Sequence, residues 1–138
     1  MKVVLDIETV QAPREEWARL AGKLPSRGES EPLGEGYDLF SAGAAEAERR
    51  AEDDQYAKSA FDATYSQIVC IGLLEFSDQL EPRGAVAWYG GDERELLRQF
   101  WSRLAQNRPS LFITHNGLGF DLPFMKKRSI IHQVKPSS

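Results

Sequence analysis

Lys2-Val3-Val4-Leu5-Asp6-Ile7-Glu8-Thr9 is the stretch that decides the fold, because it is an apolar strand that carries two acids. Its β-branched and apolar residues are typical of a buried strand. Side chains two residues apart point to the same face of a strand, so Asp6 and Glu8 project together. Two like charges in an apolar strand favour a compensating cation, and carboxylate oxygens suit Mg²⁺ or Mn²⁺. The alternative is a strand end that emerges into solvent with two ordinary surface acids.

The acid-x-acid pattern also occurs four times in polar or helix-forming stretches, where solvated acids are the expected interpretation. These pairs are Glu29/Glu31, Glu46/Glu48, Glu52/Asp54 and Glu93/Glu95. Only the pair formed by Asp6 and Glu8 lies in an apolar strand. The first strand is therefore the place in the sequence where a metal site is predicted.

Length and composition predict one soluble domain. The chain has 138 residues, of which 41% are hydrophobic and 28% charged, and no apolar run approaches the roughly 18 residues of a membrane helix. The single cysteine excludes an intrachain disulfide, and the N-terminus does not resemble a signal peptide. We therefore expect a cytoplasmic protein that does not associate with membranes.

The charge is distributed unevenly. Residues 29–54 hold nine acids against two arginines, a net charge of −7 in a chain whose total is −4, so the rest carries +3. A mildly basic body with one acidic segment leaves nucleic acid open as a partner. We interpret residues 23–60, with their Pro- and Gly-rich loop and Ala/Glu/Arg-rich helix, as an acidic excursion from a single domain that spans 1–138.

The remaining patterns predict an α/β fold. The expected order is a strand, a short helix from Arg14 to Gly22, the excursion, strands over 67–76 and 85–89, a helix from Asp92 to Ala105, a strand over 111–115 and a final helix from Phe120 to about Gln133. A hairpin followed by a strand–helix–strand unit implies a mixed sheet with flanking helices.

The second unusual stretch is His115 to Phe124, which reads His-Asn-Gly-Leu-Gly-Phe-Asp-Leu-Pro-Phe. Asp121 follows a strand and a glycine turn, so it could simply cap the last helix, with Asn116 as a turn residue. Alternatively, Asp121 faces the end of the first strand and completes an acidic cluster with Asp6 and Glu8. Ligand sites gather at the carboxyl ends of neighbouring parallel strands, which favours this arrangement.

Asp-Ile-Glu-Thr at Asp6 to Thr9 resembles the first motif of the DEDD 3′–5′ exonuclease superfamily, and Asn116-x-x-x-Phe120-Asp121 resembles its second. The fuller pattern resembles the predicted exonucleases related to the proofreading domain of family B DNA polymerases. It includes the apolar strand after residue 67 and a Glu-Leu-Leu helix with Phe100 and Trp101. The resemblance covers nearly the whole chain apart from residues 23–60.

The resemblance implies a ribonuclease-H-like fold and two-metal hydrolysis of phosphodiester bonds from a 3′ end. By analogy, Asp6, Glu8 and Asp121 are the catalytic metal ligands for two Mg²⁺ or Mn²⁺ ions. The substrate would be single-stranded DNA or RNA, contacted at its 3′ end by Thr9, Asn116 and Phe120. Lys126, Lys127 and Arg128 could contact a phosphate backbone, and the alternative is a solvated helix face.

The family's third motif, a Tyr or His followed by a last Asp, has no counterpart, because no Asp or Glu follows Asp121. We therefore expect weak or absent activity in this chain alone and a fold that lacks its last strand and helix. The fourth strand would then be a bare edge that favours a homodimer or a partner chain. Two alternatives to an exonuclease stay open: an inactive relative that binds nucleic acid or protein, and a structural module with solvated acids.

Overall fold

A computed structural model describes residues 1–23 and 39–136, and its strands form one mixed sheet. In chain order, the elements of the described residues are β1 (Lys2–Gln11), α1 (Arg14–Leu20), α2 (Leu39–Lys58), a 3₁₀ turn (Ser59–Phe61), β2 (Ser66–Phe76), β3 (Pro82–Tyr89), α3 (Glu93–Asn107), β4 (Leu111–Ile113) and α4 (Asp121–Ile131). The sequence predicts every strand and helix in this order and misses the 3₁₀ turn. The predicted loop over 23–36 lies almost entirely outside the described residues.

The strand order of the sheet is β3-β2-β1-β4. β2 runs antiparallel to β1 and β3, whereas β4 runs parallel to β1, with Lys2 opposite Leu111 and Val4 opposite Ile113. The predicted α/β fold with a mixed sheet and flanking helices is confirmed, and it is compatible with a ribonuclease-H-like exonuclease domain. Within the described residues β4 is an edge strand, as the sequence predicts.

One face of the sheet carries the hydrophobic core. Val3, Leu5 and Ile7 alternate along β1 and are at most 6% exposed, because α3 and α4 pack against this face. Phe100 from α3 and Met125 from α4 are fully buried there. Burial of each such side chain stabilises the fold by roughly 1.5–3 kcal/mol. The Leu/Phe stripe of α3 is therefore core, as its helical spacing predicts.

The opposite face of the sheet is open in the described residues. Val4, Asp6 and Glu8 point to it from β1, as strand alternation requires. Large apolar side chains on this face remain accessible, since Leu74 is 45% exposed and Ile113 is 41% exposed. The candidate carboxylates therefore project from a surface that the helices leave uncovered.

The described part of the acidic excursion packs beside the end of β1. The Tyr56 hydroxyl donates a hydrogen bond of 3.0 Å to the Ala12 carbonyl, and the Tyr56 ring meets Trp17 edge-on at 5.4 Å between centroids. Arg14 pairs with Asp53 at 2.5 Å. These contacts hold α1 and α2 together. None of the helices in residues 1–23 and 39–136 is long and apolar enough to cross a membrane.

Candidate active site

Asp6 and Glu8 lie on the open face of β1, as the alternation of the strand predicts, and both are exposed. Their cross-strand partners on β2 are Gly72 and Cys70, which are small residues. Both carboxylates are solvated, as in the alternative of a strand end that emerges into solvent, because no helix in the described residues covers this face. Solvent therefore relieves the like-charge repulsion, and desolvation alone does not require a cation here.

A β-bulge interrupts the pairing directly after Glu8. Glu8 lies opposite Cys70, but Thr9 lies opposite Ile68, so β2 contributes one extra residue. The Thr9 side chain points away from the face of Glu8, and its hydroxyl donates a hydrogen bond of 3.2 Å to the Ala60 carbonyl. Bulges are frequent beside active sites, where they redirect side chains. The hydrogen bond of Thr9 joins the first motif to the 3₁₀ turn, and the sequence carries no signal for the bulge.

Asp121 is the first residue of α4 and is 4% exposed. The capping position is occupied by Phe120, so the interpretation of Asp121 as the helix cap is wrong by one residue. The described residues contain no group of three or more His, Cys, Asp or Glu side chains placed to hold a metal ion. The structure therefore brings Asp6 and Glu8 together on one face but does not gather all three predicted ligands into such a group.

The connection from β4 to α4 is a tight turn that starts at Asn116. The Asn116 carbonyl accepts hydrogen bonds from the N–H groups of Gly119, at 3.1 Å, and Phe120, at 2.7 Å. A Cβ atom at Gly119 would lie only 2.5 Å from Asn116 Oδ1, and one at Gly117 would overlap the Thr114 side chain. Gly117 therefore has no space for a side chain, whereas a side chain at Gly119 would displace the Asn116 amide group.

We expect Gly117→Ala to destabilise the protein by about 1–3 kcal/mol, because the added methyl group lies 2.9 Å from Thr114 Cβ and has no space. Urea unfolding measures this change. Gly43→Ala in α2 is the matched control, since nothing lies within 4 Å of its added Cβ and a helical glycine is unfavourable by roughly 0.5–1 kcal/mol. Equal destabilisation by both substitutions would contradict the packing argument.

Phe120 belongs to a row of aromatic rings beside the second motif. Its ring meets Phe124 at 5.2 Å and Phe61 at 6.0 Å between centroids. Phe61 is 72% exposed. The rings line a cavity of about 280 Å³ with Lys127 at its rim. An accessible aromatic surface therefore adjoins the segment that carries Asp121, and no pattern in the sequence singles out Phe61 as part of it.

A buried ion pair lies between α3 and α4. Arg128 pairs with Glu93 through two hydrogen bonds, one of them 2.8 Å from Nε to Oε1, and these side chains are only 11% and 6% exposed. The Ile68 N–H donates to Glu93 Oε1 at 2.7 Å, and His132 Nε2 lies 2.6 Å from Glu93 Oε2. Both interpretations of Arg128, as a phosphate contact or a solvated residue, are wrong. The neighbouring Lys127 Nζ donates a hydrogen bond of 3.2 Å to Asp62 Oδ1.

The protonation of Glu93 reflects two opposed effects. Burial alone would raise the pKa of Glu93, but hydrogen bonds from Arg128 and the Ile68 N–H favour the carboxylate form. The pKa of Glu93 is consequently held below its ordinary value of 4.5. The carboxylate therefore remains charged at neutral pH and joins β2, α3 and α4.

Two comparisons identify proteins that this chain resembles. Residues 59–138 match a family described as predicted 3′–5′ exonucleases related to the exonuclease domain of PolB. A segment of 44 residues is 39% identical to a catalytic subunit of DNA polymerase epsilon from Arabidopsis thaliana; it covers 32% of this chain and 2% of that polymerase subunit. The family match includes the turn with Asn116, the helix start at Asp121 and the core helices. The chain therefore belongs to the family of predicted 3′–5′ exonucleases related to the exonuclease domain of PolB.

Proposed function

We propose that this chain is a metal-dependent 3′–5′ exonuclease domain that hydrolyses phosphodiester bonds at the 3′ end of a nucleic-acid strand. The observation that carries the proposal is the pair Asp6 and Glu8 on the open face of β1 in a chain of this family. β1 and β4 are adjacent and parallel, and the connection that follows β4 leads to Asp121. Carboxyl ends of neighbouring parallel strands are where ligand sites form in such sheets.

The donor chemistry of the three acids fits Mg²⁺ or Mn²⁺, which prefer carboxylate oxygens. Asp6 and Glu8 would hold the ions from β1, and Asp121 would supply a third carboxylate from α4. Bound ions would neutralise charge on the scissile phosphate and polarise it. Exposure of Asp6 and Glu8 leaves their oxygens free to take up metal ions from solvent.

The aromatic row favours a single-stranded substrate. Stacking of a base on an accessible aromatic ring contributes roughly 1–3 kcal/mol to the binding free energy, and it does not depend on which base is stacked. Phe61 and Phe120 provide such rings beside the second motif. Thr9 and Asn116 would contact the terminal nucleotide, although the Thr9 hydroxyl is bonded to Ala60 in this conformation. DNA and RNA both present the phosphates and bases that this surface would recognise.

A second candidate function is a catalytically inactive relative that binds nucleic acid or a protein partner. One observation favours it: the described residues lack a group of three potential metal ligands. The open sheet face and the edge strand β4 would then form the binding surface, in a homodimer or with another chain. Hydrolysis of a nucleic-acid strand by the protein would distinguish the exonuclease from this inactive candidate.

Digestion of a 5′-labelled single strand of about 20 nucleotides with Mn²⁺ tests the proposed function. The expected product is a ladder that shortens from the 3′ end and disappears when a chelator is added. The same strand in a blunt duplex should be digested more slowly, because its terminal bases are paired. Internal cuts or a complete absence of products would contradict the exonuclease and favour the inactive relative.

A further inference from the structure

A cavity outside the candidate active site lies between α3 and the segment that follows α4. It has a volume of about 600 Å³. Its lining includes Arg94, Arg98, Trp101, Arg108, Gln133 and Lys135. We call this surface the α3 cleft. α3 covers the core face of the sheet, whereas Asp6 and Glu8 lie on the other face, so the α3 cleft is separate from the candidate active site.

The α3 cleft is positively charged in a chain that is negative overall. Among the described residues, four cations line it and no carboxylate does, although acids outnumber bases by 21 to 17 in the sequence. Arg98 is bound to Glu95 at 2.5 Å, but Arg94, Arg108 and Lys135 make no ion pair within the described residues. Three cations that face a cleft without a partner indicate that its ligand is an anion.

The backbone at the rim of the α3 cleft is strained. Arg108, directly after α3, has φ 42° and ψ 68°, and Gln133, after α4, has φ 54°. Glycine is the usual residue in this left-handed conformation at the end of a helix, because other residues are disfavoured there. Strained residues that persist cluster at functional sites. Arg108 in this conformation indicates that its side chain makes a functional contact whose benefit exceeds the cost of the strained backbone.

The spacing of the cations indicates an extended ligand. Arg94 and Arg98 are one helical turn apart, about 6 Å along the axis, and Arg108 follows Arg94 by about 21 Å at 1.5 Å per residue. A single phosphate spans one of these gaps, whereas the backbone of a nucleic-acid strand spans all of them. Arginine also matches phosphate oxygens with two parallel hydrogen bonds.

We propose that the α3 cleft binds the sugar-phosphate backbone of a nucleic-acid strand away from the end that is hydrolysed. The choice of nucleic acid among polyanions rests on the proposed function. The contact is electrostatic and independent of sequence, because its cations address phosphates. The α3 cleft would hold the strand while its 3′ end is engaged elsewhere.

Fluorescence anisotropy with a fluorescein-labelled 20-mer of thymidylate tests this inference in a chelator, where hydrolysis cannot occur. We expect the double variant Arg94→Gln/Arg108→Gln to weaken binding roughly tenfold near 0.1 M salt. The slope of log K against the logarithm of the salt concentration should become less steep by about 1.4, because each lost contact with a single-strand phosphate accounts for about 0.7. Arg94→Lys/Arg108→Lys keeps the charge and should retain most of the slope. Arg49→Gln/Arg50→Gln on α2 is the matched control and should bind nearly as the wild type does.

Arg108→Gly separates binding from folding. Glycine relieves the left-handed strain, so the melting temperature should rise by roughly 2–4 °C while oligonucleotide binding weakens. A purely structural Arg108 would not give these opposite changes. Binding that is unchanged in Arg108→Gly and in the double glutamine variant would overturn the inference. The inference would also be overturned if about 10 mM inorganic phosphate displaced all of the oligonucleotide, because the cleft would then be a site for a single anion.

Failure of this inference differs from failure of the proposed function. If the cleft variants bind the oligonucleotide more weakly but the wild type does not shorten a strand, the inference about the α3 cleft is supported and the exonuclease is contradicted. If the wild type shortens the strand but the cleft variants bind as the wild type does, the exonuclease is supported and the inference about the α3 cleft is contradicted.

Discussion

Asp6→Asn is expected to reduce the rate of 3′ shortening by at least roughly 10³-fold, because the carboxylate charge on the open face of β1 would be lost. Asn and Asp have nearly the same size, and Asp6 is exposed and makes no ion pair within the described residues. The fold should therefore be unaffected. The measurement is the initial rate of product formation from a 5′-labelled single strand with Mn²⁺.

Glu48→Gln is the matched control for Asp6→Asn, because it also removes one exposed acid, on α2. Its rate should stay within about twofold of the wild type, since α2 carries solvated charges. A residual rate in Asp6→Asn close to that of Glu48→Gln would mean that Asp6 takes no part in the reaction. Circular dichroism of both variants checks that the fold is retained.

Arg128→Met is expected to destabilise the protein by about 3–5 kcal/mol, the largest change in stability that the structure predicts. The substitution removes the guanidinium that pairs with Glu93 and leaves a buried carboxylate with its charge uncompensated. It also removes the hydrogen bond of 3.0 Å from Arg128 to the Ala63 carbonyl. Urea unfolding at pH 7 gives the free energy of unfolding.

Two further variants identify the cause of this loss. Arg50→Met removes an exposed arginine whose pair with Glu46 is solvated, and it should change stability by less than about 0.5 kcal/mol. Glu93→Met combined with Arg128→Met should recover the part of the loss that comes from the buried charge, while the hydrogen bonds to the Ile68 N–H and the Ala63 carbonyl stay lost. If the double variant is no more stable than Arg128→Met alone, the uncompensated charge is not the cause.

The same ion pair predicts how stability depends on pH. The folded pKa of Glu93 lies below its ordinary value of 4.5, so its contribution is fully present above about pH 4.5 and is lost as the pH falls through the folded pKa. Glu93→Gln should flatten this acid limb of the stability curve. Glu75 and Asp62 titrate in the same direction, because the pKa of each is also lowered, so some acid dependence should remain.

The sequence predicts most of the sheet because its signals are local. Val3, Leu5 and Ile7 alternate with Asp6 and Glu8, which fixes both the strand and the face of each side chain. The helices follow from apolar periodicity and from the cap at Asp92, whose side chain accepts a hydrogen bond of 3.0 Å from the Arg94 N–H. Such patterns need only a few neighbouring residues.

Features that depend on distant residues could not be predicted. Glu93 reads as an ordinary acid in the first turn of a helix, yet its partner Arg128 lies 35 residues further on. The bulge after Glu8 depends on an extra residue in β2, and the exposure of Asp6 depends on which face the helices leave open. The shared face of the two acids was predictable, whereas their solvation and the position of Asp121 required tertiary packing.

The central claim is that Asp6, Glu8 and Asp121 act together on one divalent metal site. Titration of Mn²⁺ followed by electron paramagnetic resonance, which reports free Mn²⁺, tests it without turnover. Wild type should bind Mn²⁺, and Asp6→Asn and Asp121→Asn should each weaken binding by at least about tenfold, while Glu48→Gln should not. Equal Mn²⁺ affinity in the wild type and in Asp121→Asn, with the fold intact, would contradict the claim.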